Sequence, residues 1–271
     1  MAIIFDEIKY CQDLDSSNEK ISRTKDIMML IKWYRYCGFE EDQIKEKVYN
    51  KVNGIDAHKI QLAYQYARGK SLKKPFELTI YKEELELIKK ELNYEYQKYL
   101  FVALCLCKYM YGLTVERGTE NEKYKDILFV RNNTETSRQR IYTLSNCKET
   151  REKKPFIGHC LKNDGFIEVL GLDMWKLLYF RDEGEVALKF VPHETMVYEY
   201  RKYIGENVCK CERCGKWIYK KSNRTKYCKD CANLVYNEQR REKYHEEDEL
   251  DISDLVDIDI RDENGNEIDF A

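Results

Sequence analysis

Apolar residues recur at helical spacing through the first 70 residues. The first helix is marked by an i, i+3, i+4, i+7 series, which consists of Ile27, Leu30, Ile31 and Tyr34. Gly38 is a good terminator for this helix. A second helix is predicted from Glu40 to Gly54, and a third from Asp56, a favourable N-cap, to Gly69. Three short helices with tight turns fit either a helix-turn-helix module or a plain helical bundle.

The next segment combines helical spacing with a short run typical of a strand. Residues 70–75 form a candidate linker, 76–80 a short strand and 83–91 a helix. The strongest helix covers residues 94–111 and is apolar on most of its faces, which is typical of a central core helix. Gly112 is predicted to end it.

A run of helices followed by strands comes next. Helices are predicted over 124–131, 134–148, 156–162 and 193–204, and a β-meander over 166–170, 175–180 and 185–190. This order matches the outline of a winged helix, which many other α+β domains share. In a winged helix, residues 134–148 would face the DNA groove, with Arg138 and Arg140 as phosphate or base contacts. The alternative is an ordinary solvated helix face.

The charge of the chain is unevenly distributed. The 271 residues carry a net charge of −2, but residues 246–271 hold 12 acidic side chains and one basic side chain, Arg261. Residues 1–245 therefore contain 46 basic and 37 acidic residues, a net charge of +9 with neutral histidines. A basic body with an acidic tail indicates a surface that binds polyanions and a tail that takes part in interactions. A merely solvated surface is the alternative.

Cysteine usage and hydropathy bear on the compartment. No apolar run approaches the roughly 20 residues of a membrane span, and the N-terminus lacks the basic region of a secretory signal. The odd total of 11 cysteines favours free thiols over disulfides for most of them. We therefore expect a cytoplasmic protein with no membrane partner.

Four cysteines are spaced for a metal. Cys211 and Cys214 form one CxxC pair, and Cys228 and Cys231 form a second after thirteen intervening residues. Each CxxC turn places two sulfurs on one side of an ion, so that two turns complete a tetrahedral zinc site. Gly215 allows the backbone to turn back toward sulfur. The spacing predicts one zinc ion, which is structural because four thiolates leave no open position for water. Reduced cysteines in a coil and a redox pair are the alternatives.

Basic residues surround this cysteine cluster. Residues 210–243 contain eleven basic and four acidic side chains. A hairpin is predicted between 217–219 and 225–227, with a turn that carries Lys220, Lys221 and Arg224 as phosphate contacts. The second CxxC pair leads into an amphipathic helix. A knuckle, a hairpin and a CxxC pair at a helix start make up the treble-clef arrangement.

The fragment CERCGKWIYKKSNRTKYCKDCA carries a resemblance. It resembles the C-terminal zinc modules of uncharacterised phage and mobile-element proteins, in which a winged-helix-like body precedes CxxCG and KYCxxC. The resemblance is specific over about residues 209–240 and looser over 76–205. It implies zinc ligation by the same four cysteines and no particular activity.

No pattern typical of an enzyme stands out. The four histidines are scattered without ligand spacing, and no P-loop, GxGxxG, GxSxG or HExxH occurs. Asp182, Glu185 and Lys189 loosely resemble the acidic strand of a metal nuclease, although a solvated hairpin accounts for them as well. We therefore expect a protein that is not an enzyme.

These observations predict an α+β protein with four parts: an N-terminal helical unit (1–72), a central helix–wing domain (76–205), a treble-clef zinc module (206–245) and an acidic tail (246–271). The expected function is nucleic-acid binding, of DNA rather than RNA, in regulation or replication of a phage or mobile element. The alternative is a protein-interaction factor, such as an inhibitor of a host enzyme or defence complex. The tail either competes with nucleic acid for the basic surface or only aids solubility.

Overall fold

The α+β class predicted from the sequence is confirmed. The computed structural model describes residues 4–52, 57–131, 136–148, 156–222 and 224–250, and these contain helices together with small antiparallel sheets. The chain divides into two compact units, residues 1–200 and 201–271. The two predicted segments 1–72 and 76–205 thus fall almost entirely within the first unit. Beyond residue 250, the predicted acidic tail lies outside the described residues.

Four helices open the first unit: α1 (Glu7–Ser16), α2 (Thr24–Tyr36), α3 (Glu41–Lys51) and α4 (Ala57–Ala67). The apolar series predicted for α2 is fully buried against the other helices, where its partners include Ile44 and Val48 of α3 and Ile60 and Ala63 of α4. Helix α1 was not predicted because its apolar residues are few, although Asp6 caps it by accepting the N–H of Lys9.

Helices and strands alternate through the rest of the unit. In chain order they are β1 (Leu78–Tyr81), α5 (Lys82–Ile88), α6 (Tyr94–Glu116), β2 (Ile127–Phe129), α7 (Arg138–Leu144), α8 (Ile157–Asn163) and β3 (Ile167–Gly171). Strands β4 (Met174–Leu177) and β5 (Val186–Phe190) follow, and α9 (Val197–Tyr203) spans the boundary between the units. The N-cap of α7 is Ser137. The predicted cap, Thr134, lies outside the described residues.

Helix α6 is the core helix that its composition predicted. Phe101 stacks on Tyr200 with ring centroids 5.2 Å apart, and Tyr179 donates a hydrogen bond of 2.8 Å to the carbonyl of Leu100. The sequence predicted no apolar run of membrane-spanning length, but among the described residues α6 alone is long and apolar enough to cross a membrane, by length and composition only; 61% of its apolar stretch is buried inside the protein. A long apolar helix that is mostly buried is also typical of a protein core, so length and composition do not distinguish the two.

The predicted end of α6 at Gly112 was wrong, because the helix continues to Glu116. A Cβ atom at position 112 would lie 2.6 Å from the Phe76 ring. That ring in turn stacks on Tyr109, with centroids 5.3 Å apart. The glycine therefore allows the close approach of an aromatic side chain and does not terminate the helix.

The third strand of the predicted β-meander is present as β5, but its expected pairing with β4 was wrong. Strands β3 and β4 form the expected hairpin, but β4 pairs on its other edge with β2, and β5 pairs with β1. Residues 127–129, predicted as part of a helix over 124–131, are strand β2, because their backbone pairs with residues 174–176. Pairing over such sequence separations depends on the tertiary structure and leaves no local signal.

A buried carboxylate, Glu84, binds the segment that follows β4 close to the end of β1. Glu84 is fully buried and accepts the backbone N–H groups of Tyr81 and Arg181 at 2.9 and 2.7 Å. Lys108 of α6 lies 3.0 Å from the same carboxylate and donates to the carbonyls of Thr79 and Arg181. These bonds hold the segment after β4 against α5, so that β5 continues alongside β1. Because β5 pairs with β1 and not with β4, the strand order does not establish a winged helix.

The second unit contains β6 (Val208–Lys210), β7 (Trp217–Tyr219) and α10 (Lys229–Leu250). The two strands pair antiparallel, with Cys209 opposite Ile218. The predicted hairpin between 217–219 and 225–227 was therefore wrong. Strand β7 pairs with the residues before the first CxxC pair, because the tight turn at 211–216 brings these two strands together directly.

Candidate metal centre

The first cysteine pair lies in the turn that joins β6 to β7. The backbone N–H of Cys211 donates to the carbonyl of Lys216 at 2.8 Å, and the N–H of Gly215 donates to the carbonyl of Cys211 at 2.9 Å. Gly215 has a φ of +69°, a left-handed conformation that glycine adopts without steric cost. This turn aims both side chains, Cys211 and Cys214, toward the start of α10.

The second pair lies at the N-terminus of α10. Cys228 immediately precedes the helix, and Cys231 lies in its first turn. The N–H of Cys228 donates to Sγ of Cys211 at 3.3 Å, and the N–H of Cys231 donates to Sγ of Cys228 at 3.5 Å. Backbone donors of the second pair thus already point at two of the four sulfurs.

The four sulfurs are close enough to share one metal ion. All four Sγ atoms lie within 4.8 Å of one another, and those of Cys214 and Cys228 are 3.8 Å apart. In a tetrahedral zinc site with Zn–S bonds of about 2.3 Å, neighbouring sulfurs are about 3.8 Å apart. Elsewhere in the described residues, no three His, Cys, Asp or Glu side chains bring their ligand atoms this close together. The predicted ligand set is therefore brought together, and it can bind a metal.

The cluster also shifts the proton affinity of two of its thiols in opposite directions. Burial opposes ionisation of Cys211, but backbone N–H donors from Cys214, Cys228 and Arg213 lower its pKa to about 6. Burial, together with side-chain hydrogen bonds to the other sulfurs, raises the pKa of Cys231 to about 12. One sulfur of the group is thus prepared for the thiolate form that metal ligation requires.

An ion pair that no sequence pattern indicated joins the two halves of the centre. Both terminal nitrogens of Arg213 donate to the two carboxylate oxygens of Glu238, each at 2.7 Å. This bidentate pair lowers the pKa of the Glu238 carboxyl and links the turn at 211–216 to α10. The partners are 25 residues apart, so the sequence could have indicated this ion pair only if the helix after Cys231 had been assumed to pack beside the turn at 211–216.

The basic residues predicted to contact phosphate follow β7. Lys221 and Arg224 are exposed, Lys220 is half-buried, and among the described residues no carboxylate pairs with any of the three. A hydrogen bond within the segment joins the N–H of Thr225 to the carbonyl of Ser222 at 3.1 Å. We refer to residues 220–225 as the basic loop.

The other two predicted contacts, Arg138 and Arg140, lie in the first unit. Arg140 donates to Glu194 at 2.9 Å, and 17% of its side chain is exposed. Arg138 donates to the carbonyl of Leu172 at 3.1 Å, and its guanidinium lies 5.3 Å from the centre of the Trp175 ring. Both arginines thus already have partners in the fold, and their role as nucleic-acid contacts stays a prediction.

The acidic residues that loosely resemble a nuclease strand also have partners. Asp182 forms an ion pair with Lys125, and Glu185 forms one with Lys82 at 2.9 Å. Both carboxylates are more than half exposed. Their arrangement fits a solvated hairpin.

Comparison with known proteins supplies no relative. No protein family, no curated protein and no solved structure matches this chain.

Proposed function

We propose that Cys211, Cys214, Cys228 and Cys231 hold one structural zinc ion in a treble-clef module. The support is the set of four sulfurs at mutual distances that suit tetrahedral ligation, on a tight turn and a helix start. Four thiolates occupy every position around the ion, so the site has no place for a reacting water. The ion would fix the module in shape, and the proposal includes no catalytic step.

We further propose that this module binds nucleic acid, DNA in preference to RNA. The observation that carries the proposal is the basic loop, where Lys220, Lys221 and Arg224 lie close in sequence without a carboxylate partner among the described residues. Two of the four acids in residues 210–243 are already engaged, Glu212 with Lys226 and Glu238 with Arg213. The loop therefore keeps a positive charge that suits a phosphate backbone.

The salt dependence of DNA binding tests this proposal. Replacing Lys220, Lys221 and Arg224 by alanine should weaken binding to duplexes of different sequence alike, because phosphate contacts carry no sequence information. The slope of log K against log salt should fall by roughly two to three, as expected for three lost phosphate contacts. Fluorescence anisotropy of a labelled duplex over about 50 to 300 mM salt measures the affinity and its salt slope.

The matched control removes equal charge elsewhere. Lys9, Lys123 and Lys162 are exposed residues of the first unit, and their replacement by alanine should leave the slope nearly unchanged. Unchanged DNA retention by the basic-loop variant, or an equal effect of the control, would remove the basic loop from the interface.

The alternative function, a protein-interaction factor, is favoured by a different observation. Leu172 at the β3–β4 turn is 91% exposed, and Leu170 and Phe129 in the same sheet are about half exposed. Exposed apolar patches are typical of protein-binding surfaces. A protein partner gives a shallow salt slope and no retention on DNA, so the same titration separates the two functions.

The acidic tail supplies a further prediction, although residues 251–271 lie outside the described part. Its twelve acids alternate with apolar residues, which suits contact with the basic surface of the protein as well as solvation. If it competes with nucleic acid, deleting residues 246–271 should tighten DNA binding, most clearly at low salt, where screening is weak. Equal affinities of the truncated and full-length proteins across a salt titration would leave only the solubilising role.

We also propose that the protein acts in the cytoplasm of a bacterial host cell, as a factor of a phage or mobile element in regulation or replication. The support is the sequence alone: the reducing compartment suits free thiols beside a zinc site, and the CxxCG and KYCxxC fragment resembles modules of such proteins.

A further inference from the structure

The first unit contains an open cavity of about 880 Å³ that the function proposed above does not use. Its walls come from α1, α2, the segment after α4 and the C-terminal end of α6. This volume lies within the range of small-molecule sites, which is about 300 to 1,000 Å³.

Part of the cavity lining is apolar. It consists of Ile4, Met28, Met29 and Leu72, which pack in one cluster, together with Tyr66. Met29 and Leu72 are buried, and about half of the Tyr66 side chain is exposed. Methionine side chains adapt to planar groups, and a tyrosine ring offers a stacking surface. This part of the lining suits a flat, weakly polar ring.

The remaining lining is strongly cationic. It contains five basic residues (Lys25, Lys32, Lys70, Lys73 and Arg117) and two acidic residues (Glu7 and Glu116). At the base, the buried Glu7 is 2.5 Å from the buried Lys32 and 3.9 Å from Lys73, and it also accepts the N–H of Lys73. One carboxylate thus faces two ammonium groups, which leaves a net positive charge even at the most enclosed point.

The mouth of the cavity adds more positive charge. Lys70 and Arg117 are exposed lining residues, as is Glu116, so that two cations stand against one carboxylate; among the described residues no carboxylate forms an ion pair with Lys70 or Arg117. Low-dielectric walls lined by one sign of charge concentrate the field and attract anions. Arginine and lysine together are the usual partners of phosphate oxygens.

We propose that this cavity binds a nucleoside phosphate, with its base against Tyr66 and Met28 and its phosphates toward Lys70, Lys73 and Arg117. The combination of an apolar wall with a cationic mouth distinguishes this ligand class from a free anion, which needs no apolar wall. The proposal does not depend on DNA binding, since the cavity lies wholly in the first unit.

Calorimetric titration of the full chain with ADP tests the proposal, with adenosine and pyrophosphate as partial ligands. ADP should bind at least about tenfold more tightly than either fragment, because only ADP fills both sides. No heat with ADP at up to about 1 mM would overturn the proposal, as would equal binding of pyrophosphate and ADP.

Two variants connect the binding to this cavity. Lys70→Ala combined with Arg117→Ala should weaken ADP binding at least about tenfold, because charge-assisted hydrogen bonds to phosphate are lost. Ser71→Trp, in the loop that lines the cavity, should block it without changing its charge. All three positions are exposed, and thermal unfolding verifies that each variant is folded.

Two controls test whether the loss of binding is specific to the cavity. Lys123→Ala combined with Lys162→Ala removes the same charge outside the cavity and should leave ADP affinity unchanged. The alanine variant of the basic loop should also keep it, which separates this site from the proposed DNA surface. Unchanged ADP binding in the Lys70 and Arg117 variant, or equal weakening in either control, would overturn the assignment.

Discussion

Replacement of Cys214 by serine should release the metal from the second unit and unfold residues 209–240. The wild-type protein, purified without chelator, should contain one equivalent of zinc. The apparent binding free energy of structural zinc is about 10–16 kcal/mol, and the apolar cluster around the cysteines is small among the described residues. Elemental analysis and the loss of helical circular dichroism measure the two effects.

Cys209 offers a matched control for this experiment. It lies two residues before Cys211, but its Sγ contacts the carbonyl of Thr225 at 3.8 Å and is not part of the four-sulfur group. Cys209→Ser should therefore retain the metal and the fold. Hydrogen exchange should show that α6 stays protected in both variants, because Tyr200, which stacks on Phe101, and Tyr179, which donates to Leu100, belong to the first unit. Less than about half an equivalent of zinc in the wild-type protein would contradict the zinc assignment.

The second large effect is expected in the first unit, at the buried pair of Glu84 and Lys108. Burial raises the pKa of the Glu84 carboxyl, while Lys108 and the backbone N–H groups of Tyr81 and Arg181 oppose that rise. Glu84→Ala removes an acceptor from all three of these donors and leaves the Lys108 charge in a site that is 10% exposed. Breaking such a pair costs about 3–5 kcal/mol of unfolding free energy.

Urea denaturation measures this cost, and Glu86 on the same helix provides the comparison. Glu86 forms an exposed pair with Lys89 at 3.0 Å, so Glu86→Ala should cost less than about 1 kcal/mol. Similar losses in the two variants would show that Glu84 does not hold the strands β1 and β5 together in the way inferred from its hydrogen bonds.

Features that depend on neighbouring residues could be predicted from the sequence. The paired CxxC spacing predicted which four cysteines come together, because a CxxC turn imposes the distance between its sulfurs locally. The apolar series in α2 and the nearly continuous apolar run in α6 predicted two core helices, since helical periodicity is also a local property.

Contacts between remote segments were specified only by tertiary packing. Strand β5 pairs with β1, more than 100 residues earlier, and the buried Glu84 holds the chain there. Gly112 does not end α6, because the Phe76 ring occupies the space beside it. Arg140 pairs with Glu194, which is 54 residues away. A partner that is remote in sequence leaves no periodic signal near the residue it contacts, so packing alone specifies it.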